Sequence, residues 1–131
     1  MATRSKRPVE PFWFTPLADR SLPAEKQSTF RFRPLTQLER MHALDNVEVL
    51  TEDKTGSRQL RFRNFQQAYE IVIDCLIEAK NFPADAPVAF PVKGSREEKA
   101  KYIEMIDDHD VYAMGDYVFD HSTIGVEEKN S

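Results

Sequence analysis

The longest run of helically spaced apolar positions lies between Asn64 and Lys80, NFQQAYEIVIDCLIEAK. Phe65, Ala68, Tyr69, Val72, Ile73 and Leu76 recur at three- and four-residue steps and share one broad stripe. Gln66, Gln67, Glu70, Asp74 and Glu78 mostly fall outside it. Asn64 can cap the first turn with Gln67 reaching back, and Asn81-Phe82-Pro83 reads as an exit turn because proline cannot continue a helix. Burying about six such side chains is worth on the order of 10 kcal/mol, an upper figure because the unfolded chain already hides some area. The rest of the chain is expected to cover this helix.

Upstream, Thr29 to Arg33 alternates, with Phe30 and Phe32 to one side and Arg31 and Arg33 to the other, which predicts a strand with one buried face. Thr36-Gln37-Leu38-Glu39 is a capping box that opens a short helix with Leu38, Met41 and Leu44 on its inner side, stopped at Asp45 and Asn46. Val47 to Leu50 and Gln59 to Arg63 are further strands across a turn at Asp53 to Gly56, with Leu60 and Phe62 inward. Downstream, Val88, Phe90 and Val92 alternate in a strand or extended crossover. Ser95-Arg96-Glu97-Glu98 is a second capping box, for a helix reaching about Asp108 with Ile103 and Ile106 inward. Asp110 is placed to cap a last helix, Val111 to about His121, with Val111, Met114 and Val118 on one side and Gly115 weakening it by about 1 kcal/mol. The fold class is therefore α+β: a small, mainly antiparallel sheet in the N-terminal half on a long central helix, then a helical C-terminal half. Residues 1–10 are expected to be a disordered basic tail, 11–121 one domain, and 122–131 a flexible acidic tail.

Composition narrows the classes. At 131 residues with 40% hydrophobic and 31% charged side chains the chain fits one globular core. A net charge of -4 argues against a dedicated nucleic-acid binder. No apolar run follows the basic residues of the N-terminus, and none approaches a bilayer span, so no membrane partner is expected. Cys75, alone of its kind, lies within the central helix and reads as a small hydrophobe.

Candidate chemistry is sparse. Arg31, Arg33, Arg61 and Arg63 are placed to share a sheet face, but alternation puts the rings on the opposite face, against base stacking. Asp107, Asp108, His109, Asp110, Asp116, Asp120 and His121 gather possible ligands without the spacing of a zinc or calcium site. His42 has no nucleophile context, and no Gly-rich phosphate loop exists, so no catalysis, cofactor or metal is expected. Two stretches remain as partner-binding candidates. One is Phe12, Trp13 and Phe14 between Pro11 and Pro16, which either strap the protein's own core or dock on another chain. The other is the acidic C-terminal part, represented by Asp107, Asp108, Asp110 and Asp116. From Glu104 to Ser131 eight acidic residues stand against one lysine, a net of -7, either a solvated face or a contact for a basic partner.

Three stretches together resemble the tail assembly chaperones of long-tailed, siphovirus-type phages and prophages: Phe12-Trp13-Phe14-Thr15-Pro16, Phe30-Arg31-Phe32-Arg33-Pro34-Leu35-Thr36, and Glu127-Glu128-Lys129-Asn130-Ser131. Glu128-Lys129-Asn130 can be encoded GAA-AAA-AAC, which contains the slippery heptamer A-AAA-AAC. The resemblance accordingly implies a programmed frameshift, with this chain as the short product. It also implies a non-enzymatic factor in the host cytoplasm, absent from the mature virion, that coats the tape measure protein and recruits tail tube protein. Self-association is a further open possibility. Two other classes stay open: a small acidic phage inhibitor of a host enzyme, and a minor structural virion component.

Overall fold

The computed structural model describes residues 10–45, 47–52, 58–62 and 65–122, and in 47–52 and 58–62 the backbone alone. The expected N-cap at Asn64, the turn at 53–56, the inward placement of Leu60 and Phe62, and the tails at 1–9 and 123–131 lie outside that description.

A three-stranded antiparallel sheet forms the inner wall, in the order β1 (Phe12–Phe14), β2 (Thr29–Phe32), β5 (Leu76–Lys80). Phe30 and Phe32 of β2 are 1% and 0% exposed, as their alternation predicts. A separate two-stranded ribbon pairs β3 (Val47–Glu52) with β4 (Arg58–Phe62). Among the described residues four α-helices complete the mixed α+β architecture: α1 (Gln37–Leu44), α2 (Phe65–Cys75), α3 (Arg96–Ile103) and α4 (Asp108–Ser122).

The central helix is shorter than its periodicity predicts. It ends at Cys75, and Leu76 passes directly into β5. Leu, Glu, Ala and Lys all favour helix, so local preference points the other way. Pairing decides: Phe30 lies opposite Ala79, Arg31 opposite Glu78, and Arg33 N donates to Cys75 O at 2.9 Å, which satisfies the second edge of β2. Asn81 then turns the chain with φ 56°, and its side-chain amide donates to Glu25 O and Gln27 O at 2.9 and 3.1 Å. Ser28 Oγ donates to Asn81 O at 2.6 Å, so the loop from 17 to 28 is pinned to the end of the sheet. Within α2 the buried face is Gln67, Ala68, Ile71, Val72, Ile73 and Cys75. Gln67, expected on the polar side, is therefore covered, and Phe65 stands half-exposed.

Other boundaries shift for local reasons. The stretch 84–93 is an irregular crossover with Val88 and Val92 exposed. It is held by Tyr102, whose hydroxyl donates to Val88 O at 2.7 Å and whose ring meets Phe82 and Phe90 edge-on. Ser95 caps α3 by accepting from Glu98 N at 3.1 Å, but α3 stops at Ile103, and Ile106 is buried from the following turn. The last helix begins earlier than expected. Asp107, not Asp110, caps it, accepting from His109 N at 3.2 Å through its carboxylate and from Val111 N at 3.0 Å through its carbonyl. Ser122, placed by sequence in the tail, is a fully buried helix residue whose Oγ accepts from Leu35 N at 2.8 Å and donates to Val118 O at 2.6 Å.

Packing centres on α2 against α4. Val111, Met114 and Val118 are all buried, and Gly115 lies so close to α2 that an added Cβ would sit 2.7 Å from the Ala68 Cβ. The glycine is thus a site of close helix approach more than a weak point in α4.

Candidate functional site

Three surfaces offer themselves, two anticipated from sequence and one not. The first is β1. Its aromatic residues divide by strand alternation: Phe14 is buried, Phe12 half-buried, and Trp13 faces out at 38% exposure. Tyr117 of α4 holds the inner pair, with ring centroids 5.6 Å from Phe12 and 5.1 Å from Phe14, and its hydroxyl donates to Trp13 O at 2.9 Å. Phe12 and Phe14 therefore strap the protein's own core.

On the outer face Trp13 lies opposite Arg31 in register, with the Arg31 guanidinium and Lys80 ammonium 5.7 and 4.7 Å from its ring centre. This corrects the expected sheet face. Arg61 belongs to the separate ribbon, opposite Glu48, and the aromatic group that accompanies Arg31 comes from β1. The indole is already engaged by two cations, and Arg31 also meets Glu78 at 3.6 Å, so the outer ring of β1 has its companions within this chain.

The second surface is the start of α4. Asp107 and Asp108 are exposed there, Asp110 is half-buried, and Asp116 is half-buried further along the helix. Burial, then the neighbouring Asp107 and Asp19, push the Asp110 carboxyl above its ordinary value. Carboxylates in a first helical turn complement the backbone dipole, which accounts for Asp108 and Asp110 without a ligand. Among the described residues no group of three His, Cys, Asp or Glu side chains converges as a metal site, and no helix is long and apolar enough to cross a membrane. Burial raises the Cys75 thiol to about 12, so it stays protonated and unreactive.

The third surface is α1 and its groove with α2. The capping box at Thr36 forms in full: Glu39 N donates to Thr36 Oγ1 at 3.2 Å, and Thr36 N donates to Glu39 Oε1 at 2.9 Å. The helix is fixed by Ala43, which is fully buried, and by Arg33, whose two guanidinium nitrogens donate to the Glu39 carboxylate at 2.8 and 3.0 Å. That hydrogen bonding holds the Glu39 carboxyl far down, at about 2. With α1 anchored this way, the side expected to face inward is turned out: Leu38 is 78% exposed, Met41 54% and Leu44 42%.

Beside this stripe lies a groove of about 440 Å³. Buried Leu35, Gln67 and Ile71 form its base, exposed Leu38 and His42 the α1 side, and Glu39, Glu70 and Asp74 the rest of its margin. Asp74 is paired with Arg96 of α3, as Glu39 is with Arg33. Glu70 accepts from the Gln66 amide at 3.4 Å, and among the described residues no lysine or arginine pairs with it. Sequence reasoning missed this surface because it named Leu38, Met41 and Leu44 as core. The eight-residue helix carries no signal that its small residue, Ala43, would be the one to face inward.

No protein-family model, curated protein or solved structure matches this chain.

Proposed function

We propose that this chain is a tail assembly chaperone of a long-tailed phage. In this reading it binds the tape measure protein in the host cytoplasm, keeps it soluble while tail tube subunits are recruited, and leaves before the tail is finished. The observation that carries it is the outward apolar stripe Leu38, Met41 and Leu44 beside an open groove. Single exposed leucines are ordinary, but three large side chains on successive turns of one helix, next to a cleft, mark a surface for another chain. Methionine at the centre suits a partner that varies along its length, since its flexible thioether repacks easily. A long rod with repeated apolar seams is such a partner: many weak sites along it give avidity that polymerising tube subunits can reverse.

The docking face thus moves from Phe12 and Phe14, which the core uses, to α1. The test is co-expression with the tape measure protein of the same phage genome. Soluble tape measure protein that co-purifies with this chain is the expected result. Unchanged solubility with no complex, or recovery of this chain as a stoichiometric part of finished particles, overturns the reading.

A further inference from the structure

We propose that the α1–α2 groove seats one amphipathic helix of the partner, with an apolar side chain over Leu35 and Ile71 and a lysine or arginine, three or four positions away, on Glu70. The identity of the partner as tape measure protein rests on the chaperone reading; the chemistry of the occupant rests on the groove. A volume of about 440 Å³ takes a few side chains and leaves the body of a helix outside, along the Leu38–Met41–Leu44 stripe. An extended strand would instead need an open sheet edge, and the groove has helices on both sides.

Charge selects further. The three marginal carboxylates carry two arginines between them, leaving Glu70, half-buried, with the Gln66 amide as its partner among the described residues. Exposed His42 lines the same groove, but among the described residues no lysine or arginine pairs with Glu70, and a half-buried carboxylate beside apolar Ile71 attracts a positive group and disfavours an acidic helix. The occupant is therefore a helix with an apolar seam flanked on one side by a basic residue.

A photo-cross-linking phenylalanine analogue placed at position 38, and separately at 13 and at 108, tests this in the complex with full-length tape measure protein. Cross-links are expected from 38 alone, to segments in which a lysine or arginine lies within four residues of an apolar seam position. Glu70→Lys should weaken binding at least about tenfold, Glu97→Lys on α3 should change it less than about twofold, and reversing the partner's basic residue should restore the Glu70→Lys complex. Thermal melts establish that the variants fold, and Leu38→Asp, at a site 78% exposed, serves as a second groove variant expected to abolish capture.

Should the tape measure protein be solubilised while cross-links run from 13 or 108, or should Glu70→Lys bind normally, the groove assignment fails and the chaperone reading stands. Cross-links from 38 to a second copy of this chain also overturn it. No complex and no change in solubility removes both.

Discussion

Helices α1 and α4 both carry apolar residues at three- and four-residue steps, yet α4 turns Val111, Met114 and Val118 wholly inward while α1 leaves Leu38, Met41 and Leu44 in solvent. The difference lies in neighbours. Helix α4 is 15 residues long and meets α2 at Gly115, β1 through Tyr117 and Leu35, ahead of α1, through Ser122. Helix α1 has eight residues, roughly 12 Å, and its attachments are the buried Ala43 and the polar clamp of Arg33 on Glu39. A periodic stripe identifies a helix; which face becomes core depends on what the topology brings against it.

The contrast predicts unequal truncation costs. Met114→Ala should destabilise by about 3 kcal/mol through lost burial and a cavity, whereas Met41→Ala, at a site 54% exposed, should stay within about 0.5 kcal/mol. Urea unfolding of the pair reads the difference directly. Equal costs would mean that α1 is packed as core and would remove the basis for a docking face.

Gly115→Ala sharpens the same comparison from the side of α4. Its new methyl would lie 2.7 Å from Ala68 Cβ and 2.8 Å from Ala68 Cα, and because the second is backbone the helices must separate. Overpacking of this kind costs about 1–3 kcal/mol, while alanine's helix preference returns about 1 kcal/mol, so a net loss of about 1 kcal/mol is expected. A more stable Gly115→Ala variant would show that α2 and α4 have room to spare.

The polar clamp on α1 should show itself in pH. The Arg33 hydrogen bonds lower the folded carboxyl of Glu39 from 4.5 to about 2. Its stabilising contribution is therefore complete above about 4.5 and is lost as pH falls toward 2. Both side chains are about one-third exposed, so solvent screening limits the effect to about 1 kcal/mol or less. Comparing unfolding of the protein and of Glu39→Gln between pH 5 and 2.5 isolates it. Superimposable pH profiles would mean that the clamp does not hold α1.

Much of the fold was legible because it is local. The alternation of Phe30 and Phe32, the caps at Thr36 and Ser95, and the inner face of α4 each follow from residues within one turn or strand. What was not legible is pairing across distance. Leu76 to Lys80 looks helical until Phe30 finds Ala79, and nothing near Trp13 announces Arg31 and Lys80 as its companions. The candidate site suffered most from this. Leu38 and Ile71 are 33 positions apart in sequence, so their meeting at one groove, with Glu70 beside them, emerges only when α1 is set against α2.

The smallest stability effect is the most discriminating for function. Leu38→Ser removes a large apolar side chain at a site 78% exposed, where little was buried to lose, so unfolding midpoints should move by less than about 0.5 kcal/mol. On the proposed chaperone role, capture of tape measure protein should nonetheless fall sharply, because the same side chain would be buried on binding, where a leucine is worth about 1.5–3 kcal/mol. A residue of the core loses stability and function together, while a residue of a docking face loses function alone. If Leu38→Ser melts early and what remains folded still captures its partner, α1 belongs with α4, and its outward stripe is support with no binding role.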